Sequence, residues 1–175
     1  MMSKYAAQPL SRKKIRNIAR AMRVVFELGK GYIDIVYLIE NIIPSKDSEF
    51  EWEICCKDEM QPGVYAYYDP KTNKLVISEE TYRGACNGIA RDRFTLAHEV
   101  GHYLLHADQT VLQRISPDIS LPAYLDPEWQ ANTFASEFLA PYDEIISMSE
   151  TQVAKKYGLS MTAARIAVQN AKKPN

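Results

Sequence analysis

Arg91-Asp92-Arg93-Phe94-Thr95-Leu96-Ala97-His98-Glu99-Val100-Gly101-His102 is the stretch on which the reading of this chain turns. Two histidines stand four residues apart, and a glutamate directly follows the first. On a helix that spacing sets both imidazoles on one face, with Cβ atoms about 5–6 Å apart. Two neutral imidazole nitrogens so placed can close on one Zn²⁺ at about 2.0–2.1 Å each. Glu99 flanks the pair, where a carboxylate can take a proton from water and deliver it to a leaving group. The chain has three histidines, and His106 lies outside the motif. It follows His98 by eight residues, about 12 Å along a straight helix, too far to share one metal. His106 is therefore expected at the helix end or in a pocket wall. Its position, with that of Gly101, also excludes the longer three-histidine zinc motif.

A catalytic zinc site takes three protein ligands and keeps one position open. With no histidine left, the third ligand is a carboxylate. Asp126-Pro127-Glu128-Trp129-Gln130-Ala131-Asn132-Thr133-Phe134-Ala135-Ser136-Glu137-Phe138-Leu139-Ala140-Pro141 supplies two candidates, Glu128 and Glu137. Asp126 as N-cap, Pro127 at the first helical position and Pro141 beyond the end mark this segment as a helix. Asn132 lies four residues after Glu128, on the same face, where its amide oxygen can accept the free N–H of a liganding histidine. That neighbour favours Glu128, and Glu137 is expected as a solvated charge. Ala131 and Ala135 keep the face slim enough to press on the metal helix, and Gly101 lets another element approach beside His102.

Around these two helices the pattern is mixed. A helix is expected from Ser11, with Ile15, Ile18, Ala19, Met22, Val25 and Phe26 inward and Lys13, Lys14, Arg16, Arg20 and Arg23 on a solvated basic face. A second helix is expected from Ile33 to Ile42, stopping before Pro44. Glu51 to Lys57, Val64 to Tyr68 and Lys74 to Ser78 alternate or are β-prone, the last two joined by the hairpin signal Asp69-Pro70-Lys71-Thr72-Asn73. Leu75 to Ser78 is expected at a sheet edge open to an extended peptide. Asn87 is the expected N-cap of a metal helix running from Gly88 to His106. Residues 107–126 carry Pro117 and Pro122 and are expected as an irregular connection that lines or covers the cleft.

The expected fold class is α+β: a small, mostly antiparallel three-stranded sheet on a helical zinc-peptidase core, with a C-terminal helix-turn-helix-like appendage. Residues 1–145 form the peptidase domain and 146–175 the small helical segment. A net charge of −1 argues against a chain that coats nucleic acid as a whole. Cys55, Cys56 and Cys86 are odd in number and two are adjacent, which points to reduced thiols rather than a disulfide framework. The apolar run from Ala21 to Leu28 is broken by Arg23 and Glu27, and the run from Tyr32 to Ile43 is too short to span a bilayer. A cytoplasmic protein without a membrane partner is expected.

The residues Arg91-x-Arg93-Phe94-Thr95-Leu96-Ala97-His98-Glu99-x-Gly101-His102-x-Leu104-Leu105-His106, with Glu128-x-x-Ala131-Asn132-x-Phe134-Ala135 and Leu139-x-Pro141, resemble the ImmA/IrrE-type zinc metallo-endopeptidases. The resemblance covers roughly residues 60–142. It implies one zinc per chain on His98, His102 and Glu128, with Glu99 as the base and Asn132 orienting a metal histidine. It also implies a protein substrate, since members of this family cut a helix-turn-helix repressor encoded beside them. Gln152 to Ile166 looks like a helix-turn-helix core, and Lys155, Lys156, Arg165, Lys172 and Lys173 make it basic. Its second helix has few base-reading side chains, so packing on the peptidase is favoured over direct DNA contact. The alternative function is a DNA- or repressor-binding module whose metal is structural. Tyr124, Tyr103 and His106 are the candidates for stabilising an oxyanion.

Overall fold

A computed structural model describes residues 4–108, 113–115 and 120–172 of the chain. The chain enters through strand β1 (Lys4–Ala6) and helix α1 (Arg12–Val25), which Ser11 caps by accepting from the Lys14 N–H at 3.2 Å. Ile15 and Ala19 are buried, as their spacing predicts. The basic face is only partly solvated, however. Arg16 and Arg23 are buried, while Val25 is exposed. Arg16 grips Glu137 with Nε at 3.0 Å and Nη2 at 3.1 Å, and Arg23 donates to the Phe138 carbonyl at 2.7 Å. A guanidinium carries its donors far enough to meet polar groups across a helix interface, and periodicity alone does not distinguish that from solvation. Glu137, expected as a solvated charge, is thus a buried partner of α1.

The next helical stretch runs on past the expected stop. It consists of α2 (Ile35–Tyr37), a π-turn (Leu38–Ile42) and α3 (Ile43–Lys46), with Pro44 inside the last. The Ile43 N–H reaches back to the Leu38 carbonyl, five residues away. The wider turn breaks regular pairing just where proline has no N–H to offer.

Strands β2 (Glu51–Cys55), β3 (Ala66–Asp69) and β4 (Lys74–Ser78) form a sheet in the order β2-β4-β3. The hairpin is as expected: β3 and β4 are antiparallel, with Tyr68 opposite Leu75, and Asp69 folds the turn by accepting from Lys71 N and Thr72 Oγ1, both at 3.0 Å. The sheet is mixed rather than mostly antiparallel, because β2 lies parallel to β4, with Glu51 opposite Lys74 and Cys55 opposite Ser78. Residues 56–65 carry the chain past β4 to the far edge before it turns back. Leu75 to Ser78 is consequently the central strand, buried on both faces, and not an edge. A second, two-stranded sheet pairs β1 antiparallel with β5 (Gln113–Ile115), a contact the sequence did not suggest.

Helix α4 (Glu79–Cys86) starts at Ser78 and ends at Asn87, so Asn87 closes this helix instead of opening the next. Gly88 follows with φ +75°, a conformation that suits a residue without Cβ. Helix α5 (Ala90–His106) then begins with Ile89 as N-cap. After a 3₁₀ turn (Ala123–Leu125), helix α6 (Pro127–Leu139) starts on Asp126, whose side chain accepts from Glu128 N, as the sequence predicts. A Cβ on Gly101 would stand 3.1 Å from the Ala131 carbonyl oxygen and 3.2 Å from Phe134 Cδ1, so α5 and α6 meet almost backbone to backbone.

The chain ends in α7 (Tyr142–Ile145), α8 (Glu150–Tyr157) and α9 (Met161–Ala171). Val153, Tyr157, Ala164, Ala167 and Val168 join the same apolar cluster as Leu96, Phe134 and Phe138. Arg93 of α5 is buried and donates to the carbonyls of Ile33 at 2.8 Å, Tyr157 at 2.9 Å and Gly158 at 2.5 Å.

Two substitutions test this packing. Glu137→Ala removes the carboxylate that the buried Arg16 grips and should cost about 3–5 kcal/mol in urea denaturation. Gly101→Ala drives a methyl group into backbone atoms that cannot swing aside and should cost about 1–3 kcal/mol in the same measurement.

Candidate functional site

Helix α5 holds His98 and His102 one turn apart, and α6 brings Glu128 across from them. The two Nε2 atoms lie 3.0 Å apart, and each is 3.3 Å from a different oxygen of Glu128. Among the described residues this is the one cluster of histidine, cysteine and carboxylate ligand atoms able to hold a metal ion, its atoms all within 4.8 Å of one another. Ligands at 2.0–2.1 Å around a tetrahedral Zn²⁺ lie about 3.3 Å from each other. The donor set and its spacing therefore suit zinc. Two imidazoles and one carboxylate would leave one position of a four-coordinate ion for water or substrate.

Glu99 points from α5 toward the sheet. It is buried, and its Oε2 accepts from the Tyr68 N–H at 3.0 Å. Burial raises its carboxyl above the ordinary range, against the opposing pull of His102, His98 and the Tyr68 N–H. Glu128 is shifted the other way, held well below the usual carboxylate range by its hydrogen bonds to His102 and His98. At His98 burial works against the charged form, but Glu128 and Glu99 outweigh it and raise the imidazole's pKa. A cleft of about 460 Å³ opens over these groups, walled by residues 63–68 on one side and by Thr95, His98, Glu99, His102 and Glu128 on the other.

Behind the histidines stand polar partners. Asn132 Oδ1 is 3.0 Å from His98 Nδ1, the juxtaposition expected from its place on α6. His106, expected at a helix end or in a pocket wall, is buried, with Nδ1 3.0 Å from His102 Nδ1 and Nε2 2.8 Å from Gln130 Oε1. Burial lowers its pKa to about 4. None of the three candidates for oxyanion stabilisation lines the cleft. The Tyr103 hydroxyl donates to Asp47 at 2.8 Å, His106 sits beneath His102, and Tyr124 lies over the N-terminal segment, its carbonyl accepting from Leu10 N.

The tyrosines that do line the cleft are Tyr65, Tyr67 and Tyr68, although the Tyr68 hydroxyl itself donates to Asn73 at 2.7 Å. Sequence reasoning passed over them, although Tyr65 and Tyr67 share one strand face, the signal that could have found them. The expectation that residues 107–126 cover the cleft falls partly on 109–112 and 116–119, which lie outside the described residues. The described turn Ala123–Leu125 packs on the N-terminus instead, with Ala7 N donating to the Leu125 carbonyl at 2.8 Å. No described helix is long and apolar enough to cross a membrane.

Comparison with known proteins places these observations. No curated protein sequence matches the chain. Among solved structures, a Mycobacterium tuberculosis transcriptional regulator is similar, with a TM-score of 0.60 at 18% identity, covering 93% of this chain and 48% of that one. The chain thus spans about half the length of that protein, and the likeness is one of fold. The sequence pattern of the IrrE N-terminal-like domain (Peptidase_M78) matches residues 57–168, from the turn after β2 into α9 and across every residue of the His98–His102–Glu128 cluster. With well over half its length matched, the chain belongs to the IrrE N-terminal-like, Peptidase_M78 family.

Proposed function

We propose that the chain is a zinc-dependent endopeptidase that cuts a specific cytoplasmic protein, a helix-turn-helix transcriptional repressor. The observation that carries this reading is the convergence of His98, His102 and Glu128 at an open cleft with Glu99 beside them. In this reading those three residues hold one Zn²⁺, and Asn132 steadies His98 through Nδ1. When bound, such an ion acidifies water and polarises a carbonyl group. Glu99 does the proton work: the Tyr68 N–H holds Oε2, which leaves Oε1 to accept a proton from attacking water and pass it to the departing amine. Its burial favours the protonated form in between.

Strand β3 supports a peptide substrate. The backbone groups of Tyr65 and Tyr67 face β4, so Ala66 presents its N–H and C=O and Tyr68 its C=O to the outer edge, while the Tyr68 N–H is taken by Glu99. That edge borders the cleft, where an extended segment can add as a further strand. A structural metal site favours a closed shell of four protein ligands. Glu128, with a side chain 65% exposed, stands at an open one. The basic tail supports the enzyme reading too, because α9 buries its small residues in the core and Arg165 pairs with Glu150 at 3.3 Å.

Elemental analysis of the purified protein should find one zinc per chain. His98→Ala, His102→Ala and Glu128→Ala should each lose it, and Glu137→Ala should keep it. Retention by Glu128→Ala would overturn the ligand set. Glu99→Gln should keep the metal while cleavage of the cognate repressor falls about 10²–10⁴-fold. Full activity of that variant would exclude Glu99 as base. The wild type should cut the helix-turn-helix protein encoded beside it and leave casein intact. Stable binding of that protein without cleavage would favour the regulatory module.

A further inference from the structure

We propose that His106 and Gln130 form a positioning pair that fixes which nitrogen His102 turns toward the metal. The inference rests on the metal reading above. Gln130 is fully buried, and its Nε2 donates to two backbone carbonyls, Gln8 and Tyr124, both at 2.8 Å. Carbonyl oxygens only accept, so the amide cannot be turned the other way round. Its Oε1 therefore faces His106, and Oε1 also only accepts. The His106 Nε2 at 2.8 Å must carry the hydrogen.

A neutral imidazole with hydrogen on Nε2 has its lone pair on Nδ1. That lone pair faces His102 Nδ1 at 3.0 Å, which must then be the donor. The remaining lone pair of His102, on Nε2, points at His98 Nε2 and Glu128. Two backbone carbonyls thus set the direction of every hydrogen bond out to the ligand atom. Asn132 gives His98 the same kind of acceptor at Nδ1. A histidine ligand whose second nitrogen is held this way keeps both its tautomer and its ring plane. The register serves the pair as well. His102 and His106 repeat the four-residue step of His98 and His102, and Gln130 follows Glu128 by two residues, so α6 supplies a ligand and the anchor of the relay together.

The test compares zinc affinity, by chelator competition, in the full-length wild type, His106→Leu and His106→Asn. The asparagine oxygen stands near the place of Nδ1 and keeps an acceptor for His102, whereas leucine removes it. Both variants leave Gln130 Oε1 equally without its partner, so their difference isolates the bond to His102. His106→Leu should bind zinc about 10–100-fold more weakly, and His106→Asn should recover most of that loss. Nitrogen-15 NMR of the wild type should show hydrogen on His106 Nε2 and on His102 Nδ1.

The proposal is overturned by wild-type affinity in His106→Leu, by equally weak binding in a folded His106→Asn, or by hydrogen on His106 Nδ1. Should His106→Leu fail to fold, the wild-type spectrum decides. A wild type that binds no zinc overturns the metal reading itself, and its own affinity measurement tells that failure apart.

Discussion

The contact of Gly101 with Ala131 is the constraint on which the other features rest. Groups drawn from two helices into one cluster must agree on a spacing of a few ångströms, and side chains the size of valine or leucine at that crossing would set the axes too far apart. With no side chain on Gly101 and a single methyl on Ala131, α5 and α6 approach closely enough for Glu128 to reach both Nε2 atoms at 3.3 Å. The same approach brings Asn132 to His98 and Gln130 to His106. One steric choice therefore sets the His98–His102–Glu128 cluster and the polar groups behind it.

Around this crossing, arginines fasten the layers. Arg16 ties α1 to Glu137, Arg23 caps the carbonyl at Phe138, and Arg93 gathers carbonyls from Ile33, Tyr157 and Gly158. Each of these bonds is charge-assisted and largely shielded from water, which makes it strong and makes an unfilled partner costly. The sheet is braced by a different network. The Tyr103 hydroxyl and Asn73 both donate to Asp47, and the Tyr68 hydroxyl donates to Asn73. Burial near Asp47 raises the Tyr68 phenol to about 12, so the network is held by hydroxyls that stay protonated. In this way β3 is held against the helix that carries Glu99.

Where a single local rule governs, the sequence was legible. The four-residue step of His98 and His102 and the cap-and-proline start at Asp126-Pro127 depend on helix geometry alone. The convergence of Glu128 and Asn132 followed from the same periodicity on α6. What escaped were decisions made between distant segments. Whether β2 lies beside β3 or beyond β4 depends on the path of residues 56–65, and alternation is identical in both cases. Arg16 and Glu137 each read as solvated charges because only their meeting makes burial favourable. Asn87 serves a helix start or a helix end equally well, and α4 before it was not foreseen. His106 was set apart from the His98–His102 pair by its distance along the helix, yet its contact with His102 follows from the same four-residue spacing.

Arg93 opens a question of timing. Its guanidinium lies in the first turn of the helix that carries the two histidines, and two of its three acceptors come from residues 157 and 158. A growing chain that has exposed the histidine pair but not yet Gly158 holds a buried-type cation with most of its acceptors missing. Such a chain has every group of the cleft and no fixed helix to present them. The cleft is thereby completed only once the far end of the fold has arrived to fix the helix that carries the histidine pair.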